Sequence, residues 1–221
     1  FVYISSNSPH GFSKSHSFDE HSKYNPIGNY GVSKMKAEIY LLKNVNPHRL
    51  NIIKTPWFHG LNMPDRQKLF IKNVSKNLFP FIIPGKNKRS LINAKDLAIA
   101  SFNLLLNKTK YSSYWVCEKQ SISMRQYIKL IKNSALKNGF VSRNYLKINS
   151  FLLFPPLTSS IVCFFDQLIQ FFGGYSSILH VMGELGMNIE ASPERYRNEF
   201  KNHKFFSITE SIDEEVKEAF R

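Results

Sequence analysis

The run Phe1-Val2-Tyr3-Ile4-Ser5-Ser6 is β-rich and apolar until it meets two serines, as a buried parallel strand does at its carboxyl end. Outward from it, a polar loop with Gly11, three histidines and Asp19-Glu20 reaches Pro26. Asn29 to Lys43 then reads as a helix with Met35, Ile39 and Leu42 as its apolar stripe. Leu50-Asn51-Ile52-Ile53 is a second short strand, ending at Lys54-Thr55-Pro56. Residues 66–79 suit a helix, with Leu69, Ile71, Val74 and Leu78 apolar, and Phe81-Ile82-Ile83 runs into the turn Pro84-Gly85-Lys86-Asn87. Ser90-Leu91-Ile92 is another strand, and Asn93 caps the helix that Asp96 enters, with Leu97, Ala100, Leu104 and Leu105 inward. Tyr114-Trp115-Val116-Cys117 is a strand, and Ser123 starts a helix through Ile131. Strands alternating with helices at this spacing predict an α/β architecture with a parallel sheet.

Phe151–Phe172 departs from this pattern. Only Asp166 is charged in those twenty-two residues, a length sufficient to span a bilayer. Pro155-Pro156 is expected to break the helix early, and Asp166 with two glutamines interrupts the rest. A hydrophobic lid or an interfacial helix is expected rather than a span. In the tail, Ser192-Pro193-Glu194 opens one helix and Ser211-Ile212-Asp213-Glu214 reads as a capping box for the last.

With 221 residues, of which 43% are hydrophobic, the chain has enough apolar mass for a real core, which excludes a disordered chain. The two cysteines, Cys117 and Cys163, exclude a disulfide framework and a four-cysteine zinc site. The net charge of +14 favours an anionic cofactor, substrate or membrane surface. The lysines are scattered singly and no nucleic-acid-reading motif is present, so no nucleic-acid partner is expected. His10, His16 and His21 have neither helical nor zinc-finger spacing, and no metal site is expected. Asp19-Glu20 reads as a solvated loop pair, Gly173-Gly174 as a helix stop and Cys117 as a small buried hydrophobe. Phe1–Ser6 is apolar but far too short to read as a signal peptide. The chain begins inside an apolar run without a methionine, and reads as a piece of something longer.

The sharpest chemical signal is Tyr30-Gly31-Val32-Ser33-Lys34. Tyr and Lys at i and i+4 share one helix face. A phenol beside an ammonium ionises more easily, which turns a group of ordinary pKa about 10 into a usable base. Ser6 ends a predicted strand, where an open α/β sheet places its ligand crevice, and its hydroxyl can hold a reacting oxygen.

These motifs resemble the carboxyl-terminal two-thirds of an extended short-chain dehydrogenase/reductase, of the NAD-dependent epimerase/dehydratase family. Phe1–Gly11 resembles that family's strand ending in Ser-Ser, and Pro26–Glu38 its active-site helix. Ile53–Gly60 is similar to the strand and loop beside the nicotinamide, and Pro84–Asp96 to the turn, arginine strand and following helix. The Trp-Phe-His-Gly run followed by Asp65-Arg66-Gln67 is nearest the branch of 3β-hydroxysteroid and sterol dehydrogenases. The likeness covers residues 1 to about 135 and returns at Ala191-Ser192-Pro193-Glu194.

The resemblance implies an α/β fold: the carboxyl-terminal portion of a Rossmann-like parallel sheet, with a small mixed α/β substrate-binding subdomain. Residues 1–135 would form the partial catalytic domain, with interleaved subdomain segments, and 136–221 the subdomain with its hydrophobic segment 151–172. It implies that Ser6 orients the substrate, that Tyr30 is the acid/base and that Lys34 binds the nicotinamide ribose and tunes Tyr30. Thr55, Pro56 and Trp57 would flank the nicotinamide of NAD or NADP, and Ser6, Ser8, Trp57, Phe58 and Arg89 would bind substrate. The implied activity is Tyr-assisted hydride transfer on a secondary alcohol or its ketone, with dehydrogenase, epimerase or dehydratase outcomes open. The alternative is a non-catalytic dinucleotide-sensing or membrane-peripheral scaffold.

Trp57 stands where sugar-nucleotide members carry asparagine, Lys54-Thr55 replaces Arg-Pro and His59 replaces tyrosine. An indole cannot reproduce an amide's hydrogen bonds, so a sterol-like substrate suits the chain better than a sugar-derived one. No GxGxxG or GxxGxxG occurs, so weak NAD(P) binding is expected of these 221 residues alone. A homodimer through helices near Tyr30 and a cytoplasmic location, with peripheral membrane contact, complete the expectations.

Overall fold

The computed structural model describes residues 1–13, 17–26, 28–79, 81–82, 84–146, 153–174, 176, 179 and 183–221. Its strands are β1 (Val2–Ile4), β2 (Asn51–Lys54), β3 (Trp57–His59), β4 (Phe81–Ile82), β5 (Lys88–Arg89), β6 (Leu91–Asn93), β7 (Ser113–Trp115), β8 (Ile122–Ser123) and β9 (Leu153–Phe154). Its α-helices are α1 (Gly28–Asn44), α2 (Asp65–Ser75), α3 (Ala94–Leu106), α4 (Met124–Lys137), α5 (Pro156–Phe171), α6 (Glu194–Glu199) and α7 (Ile208–Phe220). They alternate as expected, in a mixed α/β fold. The chain interleaves two compact units: 1–58, 89–121 and 188–205 form one, and 59–88, 122–187 and 206–221 the other. A parallel sheet needs long crossovers between strands, and in this chain much of the crossover between β2 and β7 folds into the second unit.

In the first unit β1, β2 and β7 form a parallel sheet in the order β1-β2-β7. The four residues of β2 are all buried. β1 pairs with β2 and is half-buried, with Ile4 exposed. Ile53, Ile92, Leu97, Ala100, Leu104, Tyr114, Val116 and Tyr196 make the core. The returning segment is pinned by a polar chain: Asn103 Nδ2 donates to Tyr196 Oη at 3.0 Å, which lies 2.8 Å from His203 Nδ1, and His203 Nε2 meets Asp96 at 3.1 Å. Glu20 is not solvated: it accepts from the Trp115 amide at 3.0 Å and pairs with Arg195 at 3.5 Å. Cys117 is fully buried, and desolvation pushes its thiol up to about 12.

In the second unit α2, α4 and α7 pack together through Ile71, Val74, Tyr127, Ile128, Ile131, Ile212 and Val216. Ser123 makes the full capping box for α4, which runs on to Lys137 because Ala135 is still buried. α7 starts at Ile208, a turn before the expected Ser211 cap, and Ser211 is buried inside the helix. Pro155-Pro156 does not break α5 but begins it: Pro at the first helical position lacks only an amide that has no helical partner. Gly173, at φ +81°, ends α5 as expected, with the Gly174 amide donating back to Ile169 at 2.9 Å. Two apolar expectations fail on exposure. Leu105 on α3 and Leu69 on α2 are exposed, because each helix buries a narrower stripe than its apolar residues mark out; α2 ends at Ser75 rather than 79, so the exposed Leu78 lies beyond it.

Candidate active site

The crevice end of the first unit's sheet is built by β1 running on past Ile4. The Ser5 amide donates to the Ile53 carbonyl at 2.7 Å and the Asn7 amide to the Thr55 carbonyl at 3.0 Å. Ser6 therefore lies beside the carboxyl end of β2, and its hydroxyl accepts from the Ser8 amide and contacts the Ser8 hydroxyl, both at 3.2 Å. α1 closes against this turn at Gly31. A Cβ there would fall 2.7 Å from the Ser8 carbonyl oxygen, so only glycine lets the helix approach so closely.

Tyr30 precedes that contact and is exposed. Lys34, one turn on, places its Nζ 5.9 Å from the Tyr30 ring centroid and 4.9 Å from that of Tyr3, and donates to the Ile4 carbonyl at 3.0 Å. The helix-borne pair and the strand end are thus tied by a direct hydrogen bond.

The buried face of α1 is not the expected Met35, Ile39 and Leu42. Ile39 and Leu42 are exposed, and Gly31 and Glu38 are buried. Glu38, one turn beyond Lys34, is the centre of a polar cluster that composition concealed. Ser5 Oγ donates to it at 2.5 Å, Tyr24 Oη at 2.9 Å, and Lys54 Nζ lies at 3.5 Å. Burial lowers the Lys54 pKa, and the Glu38 carboxylate opposes that shift. Burial and then Glu38 raise that of Tyr24. His10 stacks on Tyr24 at 5.0 Å, has its pKa lowered by burial and by Lys54, and has its Nδ1 3.2 Å from the Lys23 carbonyl. In the sequence Glu38 continues the i, i+4 line of Tyr30 and Lys34, and Lys54 ends the strand Asn51–Lys54.

Thr55 and Pro56 are buried at the end of β2, and Trp57 and Phe58 follow with more exposure. Thr55 Oγ1 is buried without a hydrogen-bond partner among the described residues. Arg89 is buried, and its guanidinium lies 4.9 Å from the Trp57 ring centroid, so two of the expected substrate-binding residues stack on each other. Of the loop histidines, His10 is buried, His21 Nε2 is 3.2 Å from Arg195 and His16 lies outside the described residues. Among the described residues, no three His, Cys, Asp or Glu side chains are grouped to hold a metal ion.

No family model matches the chain. It is 32% identical over 194 residues to the uncharacterized protein y4nL of Sinorhizobium fredii, a match that takes in 85% of this chain and 53% of that protein, so the chain spans about half the length of that relative. Among solved structures, RMD from Pseudomonas aeruginosa complexed with NADPH superposes with a TM-score of 0.65 at 15% identity, covering 99% of this chain and 65% of that one. A dTDP-glucose 4,6-dehydratase from Bacillus anthracis in complex with NAD gives 0.66 at 16%, covering 98% and 60%. WbmH of Bordetella bronchiseptica, in complex with NAD+, gives 0.64 at 15%, covering 98% and 60%. The chain has the Rossmann-like α/β fold that these NAD(P)-bound structures share, and it spans under two-thirds of each.

Proposed function

We propose that this chain carries the proton-transfer and substrate-binding part of an NAD(P)-dependent oxidoreductase, epimerase or dehydratase of the extended short-chain type, acting on a secondary alcohol or its ketone. The observation that carries the proposal is the tie between helix and strand end: Lys34 bonded to the Ile4 carbonyl, Tyr30 one turn before it, and Gly31 against the Ser6–Ser8 turn.

The residues at the end of β2 fit a nicotinamide. Thr55 Oγ1, buried and without a partner among the described residues, supplies a hydroxyl able to donate or accept toward a carboxamide, and Trp57 offers a flat apolar wall. Thr55, Pro56, Trp57 and Lys34 would hold the nicotinamide and its ribose. A bound nicotinamide supplies the chemistry of taking or returning a hydride. The chain's own residues do the rest. Ser6 holds the substrate oxygen and Tyr30 removes the hydroxyl proton as a C–H hydride leaves the same carbon, so that alcohol becomes ketone. In reverse, Tyr30 protonates the developing alkoxide. Lys34 has three N–H groups, of which one is used on Ile4, leaving donors for a ribose and a positive charge beside the phenol. The Trp57 indole, stacked on Arg89, offers a flat apolar wall in place of an amide, which suits a flat, largely apolar alcohol. With no glycine-rich phosphate turn in the sequence, the pyrophosphate of the cofactor would be held by groups outside these 221 residues.

Tyr30→Phe tests the role of the phenol. The expected outcome is loss of turnover by at least about a hundredfold with nicotinamide affinity retained. Unchanged turnover would reject the phenol as the proton carrier and favour the dinucleotide-sensing alternative.

A further inference from the structure

α5 buries its less apolar side. Val162, Cys163, Asp166, Ile169 and Gln170 form the inward face, buried or half-buried. Ile161, Phe164, Phe165, Leu168, Phe171 and Phe172 recur at helical spacing on the opposite face and are 42% to 82% exposed. The helix's one charged group, Asp166, is turned inward, where Gln170 Nε2 donates to it at 2.8 Å. Globular helices are ordinarily amphipathic in the reverse sense, and a contiguous exposed run of this kind marks an interaction surface.

We propose that the outward stripe of α5 is a peripheral docking surface for an anionic lipid bilayer, with the helix lying in the plane of the interface. Sixteen residues make a helix of about 24 Å, shorter than a hydrocarbon core of about 30 Å. No helix among the described residues is long and apolar enough to cross a membrane. Four phenylalanines in six positions match the aromatic, apolar side of an interfacial helix. The occupant follows from charge. The chain carries +14, and the unit that contains α5 has fourteen Lys and Arg against eight Asp and Glu. An anionic surface attracts that charge, whereas a second copy brings +14 of its own. The six stripe residues carry no hydrogen-bonding group in their side chains, and acyl chains require none.

The test is co-flotation of the 221-residue chain with vesicles of phosphatidylcholine alone and of phosphatidylcholine with about 30% phosphatidylglycerol, each at about 0.1 M and 0.5 M salt. The expected result is binding to the anionic vesicles at least about tenfold stronger than to neutral ones, weakened by salt. The double variant Phe171→Ser/Phe172→Ser, altering the two most exposed rings of the stripe, should lose about tenfold or more of that binding with an unchanged circular dichroism spectrum. Three results overturn the proposal: no binding to either vesicle, binding that the double variant leaves intact, or a self-associating chain that the double variant turns monomeric.

Discussion

A lysine enclosed in a strand is tolerated when a carboxylate meets it, and Lys54 is met by Glu38, which Ser5 and Tyr24 also engage. Removing one partner leaves the other charge buried. Glu38→Ala is therefore expected to cost about 3–5 kcal/mol, measurable as a lowered denaturant midpoint. Tyr30→Phe, at an exposed position four residues before Lys34, should stay within about 0.5 kcal/mol of the parent. Equal losses from the two would contradict the division between a buried polar brace and an exposed phenol. Tyr30, Lys34 and Ser6 were legible in the sequence as candidates, because a Tyr and Lys one helical turn apart and a serine at a predicted strand end are local patterns. Glu38 and Lys54 were not, since nothing in a charged residue's identity says that it is enclosed.

The elements divide in the same way. Caps were readable where the side chain makes the bond, as with Asn93 to the Lys95 amide at 2.7 Å and the Ser123–Gln126 box. The burial side of α1 was not, because Met35, Ile39 and Leu42 mark an apolar stripe whereas the helix is drawn in by Glu38 and by contact at Gly31. Gly31→Ala puts a methyl 2.7 Å from the Ser8 carbonyl, and is expected to destabilise by about 1–3 kcal/mol. It should also shift the amide signals of Ser6 and Ser8, observable by nuclear magnetic resonance. α7 contributes a pH dependence. Glu215 accepts from the Gly60 amide at 2.9 Å and from Gln67 at 2.7 Å, and burial, reinforced by Glu218, lifts its carboxyl to about 8. The unfolded chain releases that proton near pH 4.3, about the ordinary glutamate value. The native state thus keeps a proton the unfolded state loses, so stability falls as pH rises from about 4.3 to about 8 and levels off above. Glu215→Gln keeps the acceptor for Gly60 and Gln67. It is expected to flatten that slope and to gain on the order of 3–5 kcal/mol over the parent at pH 8. Urea unfolding of both proteins at pH 5 and pH 8 measures it, and parallel slopes would remove Glu215 as the cause.

At the scale of the molecule, two units interleave, and the parallel sheet, its crevice end and the Tyr30 helix all belong to one of them. Alternation of strands and helices made the α/β class legible, whereas the exact segments that return to each compact unit were not, because local patterns do not reveal which core a segment joins. Fold similarity extends over 98–99% of this chain and only 60–65% of the NAD(P)-bound structures described above. No glycine-rich phosphate turn occurs in these 221 residues, so under the proposed function they would supply the nicotinamide and substrate side. The decisive measurement is a titration of the 221-residue chain with nicotinamide mononucleotide and, separately, with adenosine 5′-monophosphate, followed residue by residue through amide resonances. Nicotinamide mononucleotide should shift Ser6, Tyr30, Lys34, Thr55 and Trp57 while the adenosine nucleotide leaves them in place. Shifts from neither ligand, or the same shifts from both, would contradict a nicotinamide site at the end of β2.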